Sequence, residues 1–336
     1  MMRPDARAAG PVTAPLTRPA TSGPEGRVSL SYGKGLVVVY RLDVPAQAGV
    51  AAIAESDFTG SAGGLLAVRA TVEVDGAELL PAWRDGDNSR CVATDTMKNA
   101  LIYDASTFDG STIEELAVFW GTKLVDRYDD FDGARISVAQ IAYRPAKTPS
   151  GPSEVAWVLD AGPTGVTMAT VRRGGDGKAE LTELLSGTEG VEIVRTSGNS
   201  FVGFPRDHLT TLPEDDDRPL ALPLTVRWTY DPASAARLGG GDLGRWVPHR
   251  QVVDLCAAVL HDVPGRSIQE VQWHIAQRML RRFPQLTRVW LEGENRTWAR
   301  PMVPRPEGGH VTYTSGNPSY GLIRLELGRA DRAGAD

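Results

Sequence analysis

Two helices of similar design, one in each half of the chain, constrain the fold more than any other feature. One begins in the segment STIEELAVFWGTKLVDRY at Ser111, and the other begins in SIQEVQWHIAQRML at Ser267. Each serine is followed three residues later by a glutamate, Glu114 or Glu270, which is the spacing of a helix capping box. An apolar stripe at helical spacing follows each start and predicts a face buried against a sheet. A chain that repeats such a helix is expected to repeat the unit around it.

Segments with strand character flank these helices in both halves. The segment LLAVRATVEVDG alternates apolar and polar side chains, as a strand with one solvated face does. The other predicted strands are LSYGKGLVVVYRL, ARISVAQIAYR, GVTMATVRR, LALPLTVRWTY, LTRVWLEGEN and YGLIRLEL. A second helix in each half is predicted near Asp95 and in VPHRQVVDLCAAVLHDV. The predicted fold class is therefore α+β, with tandem ββααββ units that each form an antiparallel sheet with helices on one face.

The units are flanked by segments of different composition. We place the first unit at residues 28–185 and the second at 186–329. Residues 1–27 are rich in Pro, Ala, Gly, Ser and Thr, and they are predicted to form a disordered tail because they cannot bury enough apolar surface. The same segment has no apolar core of the kind found in secretory signals. Residues 330–336 are predicted to be a loose C-terminal tail.

Composition excludes several classes of function. The net charge of -6 argues against a general nucleic-acid binder, which needs a basic face. No apolar run is long enough for a membrane span. The two cysteines, Cys91 and Cys256, form no CxxC motif, so a reducing compartment is expected and we predict a cytoplasmic protein. The five histidines lack metal-ligand spacing and nucleotide-binding motifs are absent, so no metal and no organic cofactor is expected.

One helix start carries more polar side chains than a cap requires. In VATDTMKN, Thr94, Asp95 and Thr96 follow one another at the predicted beginning of a helix. A single such side chain is enough to accept a hydrogen bond from the first turn. The segment is therefore interpreted either as an ordinary cap or as part of a binding site that uses the free backbone amides.

Several short motifs, taken together and in order, resemble those of the urate oxidase (uricase) family. They are YGK at 32–34, VATDTMKN at 92–99, SFVGFPRDHLTTL with Arg218 after it, SIQ at 267–269, ENR at 294–296, and PSYGLIRLEL. The resemblance implies the T-fold, with tandem ββααββ units in a homotetramer around a central tunnel and active sites between subunits. It also implies that dioxygen oxidises urate to 5-hydroxyisourate and hydrogen peroxide without a metal or organic cofactor.

The resemblance further implies which residues bind the purine. Arg218 and Gln269 grip opposite edges of the ring, and Phe201 stacks on its face. The backbone of Ile268, and that of Asp95 from a neighbouring subunit, reach the ligand. The chemistry is suitable, because a guanidinium presents a planar fork of donors and an amide offers both a donor and an acceptor.

The catalytic group implied by the resemblance differs from the family pattern at one position. Lys34 activates Thr94 as a proton relay, and Asn295 holds dioxygen or water above the ring. The family places a His two residues after this Asn, where this chain has Thr297. A hydroxyl does not titrate near neutral pH as imidazole does. Three interpretations follow: a slower urate oxidase, an enzyme for a related oxopurine or another planar heterocycle, or an enzyme in which His310 replaces the missing group.

Other classes of protein stay open at this stage. Taken singly, each candidate residue has an ordinary structural interpretation, such as a helix cap, a solvated charge, or an ion pair of Arg218 with Asp215 to Asp217. The chain could be a purine-binding protein without turnover. A pterin-type T-fold enzyme is disfavoured, because that class relies on zinc-binding His or Cys clusters. The expected partners are a purine, dioxygen and further copies of the chain, without nucleic acid or membrane.

Overall fold

The computed structural model describes residues 29–316 and 318–330. The predicted N-terminal tail (1–27) and residues 331–336 of the predicted C-terminal tail lie outside this range. No helix in the described ranges is long and apolar enough to cross a membrane. Both cysteines are free.

A single antiparallel sheet of eight strands forms the centre of the molecule, in the order β1-β2-β3-β6-β7-β8-β9-β12. Its strands are β1 (Tyr32–Leu42), β2 (Leu65–Asp75), β3 (Gly133–Gln140), β6 (Thr164–Arg173), β7 (Ala179–Arg195), β8 (Leu220–Tyr230), β9 (Leu286–Asn295) and β12 (Gly321–Gly328). Two small hairpins lie outside it and are formed by β4 (Tyr143–Thr148) with β5 (Gly151–Leu159), and by β10 (Trp298–Ala299) with β11 (Thr314–Ser315). The α+β class with antiparallel pairing is confirmed.

Four long helices cover one face of this sheet. These four are α2 (Thr94–Ala105), α3 (Ile113–Arg127), α5 (His249–Asp262) and α6 (Ile268–Arg282), and the two shorter helices are α1 (Leu80–Arg84) and α4 (Pro232–Gly239). Helix α2 packs on β1, α3 on β3 and β6, α5 on β7, and α6 on β9 and β12. Two strands, two long helices and two sheet strands therefore follow one another twice along the chain.

The alternation of side chains explains how the sheet is covered on one face only. In β8, every second residue from Leu220 to Tyr230 is buried, and the residues between them are half-buried. The buried set joins the apolar stripes of the helices in one core. The intervening side chains, among them Thr225, Arg227 and Thr229, line a broad concave space of about 810 Å³ on the opposite face. The sheet thus has one dry face and one face lined by polar and charged groups.

The predicted helix starts are one residue off in the first half and correct in the second. The N-cap of α3 is Thr112, and its capping box uses Glu115 rather than the predicted pair Ser111 and Glu114. The Glu115 carboxylate accepts from the backbone amides of Ser111 and Thr112 at 3.1 and 2.9 Å, which favours this start. At α6, the Ser267 side chain accepts a hydrogen bond from the Glu270 amide, as predicted.

Sequence patterns did not reveal two parts of the sheet structure. The first is β7, whose 17 residues make it the longest strand. The second is the β4–β5 hairpin, which is inserted between β3 and β6. The proposed boundary between residues 185 and 186 falls inside β7, and one continuous sheet runs through both halves. The division into two domains stays a prediction.

Candidate active site

The connection between β7 and β8 is folded back on itself by backbone hydrogen bonds. The amide of Phe201 donates to the Asp215 carbonyl at 2.8 Å, and the Asp215 amide donates back at 3.3 Å. The Arg218 amide donates to the Asn199 carbonyl at 2.9 Å. These contacts bring Phe201 and Arg218, which are far apart along the loop, to the same place beside the start of β8.

Arg218 is half-buried and forms no ion pair with the described residues. Its guanidinium carbon lies 5.3 Å from the centroid of the Phe201 ring. Among the described residues, no carboxylate oxygen lies within 4.0 Å of the guanidinium, so the predicted alternative of an ion pair with Asp215 to Asp217 is not formed. Burial lowers the pKa of Arg218 below its usual value, and the charge of Asp215 partly offsets this. The group still carries a proton, and it is available to bind an anion.

The start of α6 points backbone amides at the same region. Ser267 is the N-cap, so Ile268 and Gln269 are the first two residues of the helix, whose amides have no acceptor within the helix. Ile268 is buried and Gln269 is exposed. The Gln269 side chain has no hydrogen-bond partner in the described part of the chain, and it is free to meet a ligand.

Asn295 completes this group from the end of β9. It is paired in register with Gly321 at the start of β12. Beneath it, the fully buried Gln272 of α6 donates to the Ile323 carbonyl at 3.1 Å and so ties the helix to β12. The exposed Thr297 hydroxyl lies 3.4 Å from the Asn295 amide oxygen, which is a long hydrogen bond. Thr297 therefore lies next to Asn295 but outside the lining of the cavity.

These side chains line one small cavity. Its lining consists of Asn199, Ser200, Phe201, Arg218, Leu220, Gly265, Ser267, Ile268, Gln269, Asn295 and Ile323. Five residues predicted from the sequence, Phe201, Arg218, Ile268, Gln269 and Asn295, thus meet in three dimensions. The volume is about 70 Å³. Ligand pockets are usually several times larger (roughly 300–1,000 Å³), so the cavity in one chain has the size of part of a site.

A second polar group lies at the other end of the sheet, where β1 meets the start of α2. The Tyr32 hydroxyl donates to the Val92 carbonyl at 3.0 Å and joins the two motifs YGK and VATD. Gly33 allows β1 to approach β2, because a Cβ atom at this position would lie 1.8 Å from the Val72 oxygen. A bulge follows Lys34, where the register shifts before Val37.

Helix α2 begins at Thr94 without a side-chain cap. Its N-cap is Ala93, so of the two interpretations of this segment the ordinary side-chain cap is wrong. The Asp95 carboxylate instead accepts from Lys98 at 2.5 Å and from the Asn99 amide at 3.3 Å. Its hydrogen bond to Lys98 lowers the pKa of Asp95 below its usual value, and the charge of Lys34 adds to this effect. The amides of the first turn of α2 remain without intrahelical acceptors.

The two polar groups are not in contact within one chain. Lys34, Thr94 and Asp95 belong to the β1 edge, whereas the cavity lies at the β9 and β12 edge of the same sheet. Six strand spacings between β1 and β9 correspond to on the order of 30 Å along the sheet. His310 lies exposed in the connection between β10 and β11, and among the described residues the hydrogen bond of the Thr297 hydroxyl goes to Asn295 and not to His310.

Asn199 is a cavity residue that the sequence did not single out. Asn199 is 2% exposed and lies in the lining beside Arg218. An asparagine between β-strands is typical of turns, so its residue type does not distinguish it from an ordinary turn residue. Only the hydrogen bonds of the folded loop identify it.

Fold and cavity together define a class of protein. An antiparallel α+β scaffold here presents a free guanidinium, an aromatic ring and a carboxamide to one small space. Such a set suits a flat ligand with several oxygen or nitrogen acceptors and a negative charge.

Comparison with known proteins agrees with this class. A model of the uricase family matches residues 184–323. The chain is 36% identical to the uricase of Haloferax volcanii over 80% of its own length and 88% of the relative. Crystal structures of urate oxidase from Bacillus sp. TB-90 superpose with a TM-score of 0.84 at 32% identity, covering 89% of this chain and 100% of that chain. The chain belongs to the uricase family and is an oxidoreductase of that family.

A further relative is longer than this chain. The chain is 34% identical to the uric acid degradation bifunctional protein PucL of Bacillus subtilis, over 90% of its own length. It covers 62% of PucL, so the match includes one part of that bifunctional protein.

Proposed function

We propose that this protein oxidises urate with dioxygen to 5-hydroxyisourate and hydrogen peroxide, without a metal or organic cofactor. Urate, dioxygen and one water yield one 5-hydroxyisourate and one hydrogen peroxide, so two electrons pass from the ring to oxygen. The observation that carries the proposal is the free, half-buried Arg218 guanidinium beside Phe201.

The cavity groups suit a urate anion in particular. Arg218 offers parallel donors to neighbouring acceptors on one edge of the ring, and Gln269 offers an amide to the opposite edge. The Ile268 amide adds a donor at a helix N-terminus, which favours negative charge. Phe201 covers a ring face. Asn295 lies at the same cavity and holds dioxygen, or later water, above the ring.

We further propose that the site is completed by a second copy of the chain. The 70 Å³ cavity is smaller than a purine site requires, and the relay residues Lys34 and Thr94 lie at the far edge of the sheet. Both edge strands are open in one chain, and β1 exposes Leu36, Tyr40 and Leu42. Edge strands of this kind pair with other chains. T-fold units in a homotetramer around a central tunnel satisfy these requirements, and the concave face of the sheet would line the tunnel.

In the assembled site, Lys34 and Thr94 move the proton that leaves urate, and the Thr94 and Asp95 backbone contacts the ligand. Thr297 stands where the resemblance places a His. Its hydroxyl lies 3.4 Å from Asn295 and can pass a hydrogen bond to the oxygen position. It cannot supply a titrating group, so a slower proton transfer is expected.

The experiment is direct. Purified protein, treated with a chelator, is mixed with urate under air while urate absorbance, oxygen consumption and peroxide are followed together. We expect equal amounts of urate and oxygen to disappear and the same amount of peroxide to form. The variant Arg218→Ala serves as the control. Binding of urate without oxygen consumption would contradict the proposal and identify a purine-binding protein without turnover.

Thr297 favours a second candidate function, the oxidation of a different planar heterocycle. A smaller, uncharged side chain beside Asn295 can reshape the pocket for another planar oxopurine or a related heterocycle. A panel of such compounds, scored by oxygen consumption and peroxide, separates the two. A compound with kcat/KM well above that of urate would replace urate as the substrate.

A further inference from the structure

Asn199 is a buried polar residue at the back of the cavity. Its side-chain amide donates to the Arg218 carbonyl at 3.0 Å, and it makes longer contacts of 3.4 Å with the carbonyls of Arg195 and Ser197. One side chain therefore holds the end of β7 and the segment that leads into β8.

The backbone of Asn199 strengthens the same connection. Its carbonyl accepts from the Arg218 amide at 2.9 Å, so Asn199 and Arg218 are joined by two hydrogen bonds in opposite directions. The next residue, Ser200, donates its amide to the Gly265 carbonyl at 2.9 Å. Gly265 lies in the turn that leads into α6, three residues before Ile268. Asn199 thus links the loop of Phe201 and Arg218 to the helix start that carries Gln269.

The fit between Asn199 and Gly265 is close. A Cβ atom at position 265 would lie 2.3 Å from the Asn199 side-chain oxygen. Any larger residue there would push the Asn199 side chain away from the Arg218 carbonyl. The glycine and the asparagine therefore form one unit, and a change at either position has the same consequence for Arg218.

We propose that Asn199, seated on Gly265, is a positioning residue that fixes the distance between Arg218 and the start of α6 and so sets the grip on the purine. The inference rests on the proposed function, because it concerns the same cavity. Asn199 acts through Arg218, whose backbone carbonyl accepts a hydrogen bond from the Asn199 side-chain amide. A clamp for a flat ring depends on such spacing, because an error of about 1 Å removes one of the two hydrogen-bonded edges.

The test measures binding and turnover separately. Asn199→Ala is expected to raise KM for urate and Kd for xanthine, a planar purine used here as a binding probe, about tenfold, while kcat stays within about threefold. Asn199→Ser, which keeps a donor of shorter reach, should lie between Asn199→Ala and wild type. Asn88→Ala, at an exposed asparagine with one long contact of 3.5 Å to Gly86, is the matched control and should change neither constant.

Two double variants separate positioning from general stability. Gly265→Ala alone should weaken xanthine binding as Asn199→Ala does, and the combined variant should be no worse than either, because both remove the same contact. In an Arg218→Ala background, Asn199→Ala should have no further effect on Kd, although its effect on thermal stability persists.

Additive effects of Asn199→Ala and Gly265→Ala on Kd would overturn the inference, as would unchanged Kd in both single variants. A lower melting temperature with wild-type Kd would also overturn it, since the role would then be structural only. Failure of the proposed function gives a different result: the wild-type protein itself would then consume no oxygen with urate.

Discussion

The starts of α3 and α6 occupy equivalent places in the repeated order of elements. The start of α3 is buried by other parts of the chain, whereas the start of α6 borders a cavity that is open to solvent. Glu114 and Gln269 are each the second residue of their helix. Glu114 is 4% exposed and accepts a hydrogen bond from Ser186 at 2.9 Å. At the same junction, His249 at the start of α5 lies against Gly165. Gln269 is exposed at the edge of an open cavity.

The difference lies in which helix covers the start of α3 or α6 and the strand ends next to it. The first is covered from within the chain, because the start of α5 packs at the beginning of β6, next to Gln140 at the end of β3. By the same correspondence, the start of α2 would cover the ends of β9 and β12, but within one chain α2 packs on the far edge. The proposed assembly supplies α2 from another chain. The buried start of α3 thus shows, within one chain, the arrangement that we propose between two chains. His249, the first residue of α5, lies in the place that Thr94, the first residue of α2, would occupy.

The largest expected effect is on proton transfer by Thr94 in the active site that we propose to form between two chains. Thr94→Val should lower kcat about 10²–10⁴-fold, the usual value of acid–base assistance, while leaving Kd for xanthine within about threefold. The structure favours this substitution as a clean test, because Thr94 does not cap α2. Steady-state kinetics and titration are the two measurements. Equal losses in kcat and affinity would assign Thr94 to binding instead.

The next largest effect is on ligand binding at the open cavity. Arg218→Ala should weaken urate and xanthine binding about 10²–10³-fold, because a buried hydrogen-bonded charge loses its partner. Arg218→Lys keeps the charge without the planar fork and should recover only part of the affinity. Calorimetric titration measures both. Wild-type affinity in Arg218→Ala would show that the guanidinium does not bind the ligand.

A smaller effect is expected at Thr297, where the resemblance to the family places a His. Thr297→His places a titrating group beside Asn295 and should raise kcat with urate about 10–100-fold, with an activity profile that follows the imidazole pKa. The pH dependence of kcat checks this. A large fall in kcat would indicate a pocket shaped for a different heterocycle.

The smallest expected effect is at Glu114, at the buried start of α3, and it changes only the free energy of unfolding. Burial raises the pKa of Glu114 from 4.5 to about 7. The folded state then binds a proton that the unfolded state has released, so the free energy of unfolding falls as pH rises from about 4.5 to 7. Glu114→Gln should be more stable than wild type above pH 7, by about 1–3 kcal/mol, and equal to it near pH 4. Urea unfolding at both pH values measures this. A difference that is the same at both would show that the carboxyl group does not titrate in this range.

Sequence patterns predicted the buried face of an element correctly where a single periodicity, of a strand or of a helix, determined it. The alternation in β2 and the apolar stripes of α3 and α6 agree with the buried faces of the structure. The strand β7 was missed because Glu183, Ser186, Gly187 and Gly190 are atypical of strands. Two register shifts accommodate them, and its pairing with β6 and β8 overrides its weak local preference.

The candidate site was predictable to the extent that it uses motif residues. Phe201, Arg218, Ile268, Gln269 and Asn295 were named from the sequence and line one cavity. Asn199 was not, because its role depends on hydrogen bonds between segments that are distant in the sequence. The separation of the cavity from Thr94 also depends on strand order, which local patterns do not contain.

In the proposed assembly, each active site takes its binding residues from one chain and its relay residues from another. Arg218→Ala and Thr94→Val chains, each of low activity alone, are co-expressed with different tags and the mixed oligomer is purified. Random pairing restores intact sites in about one quarter of positions, so urate oxidation at about a quarter of the wild-type rate is predicted. Activity no higher than that of the single variants, in an oligomer that contains both chains, would contradict the account.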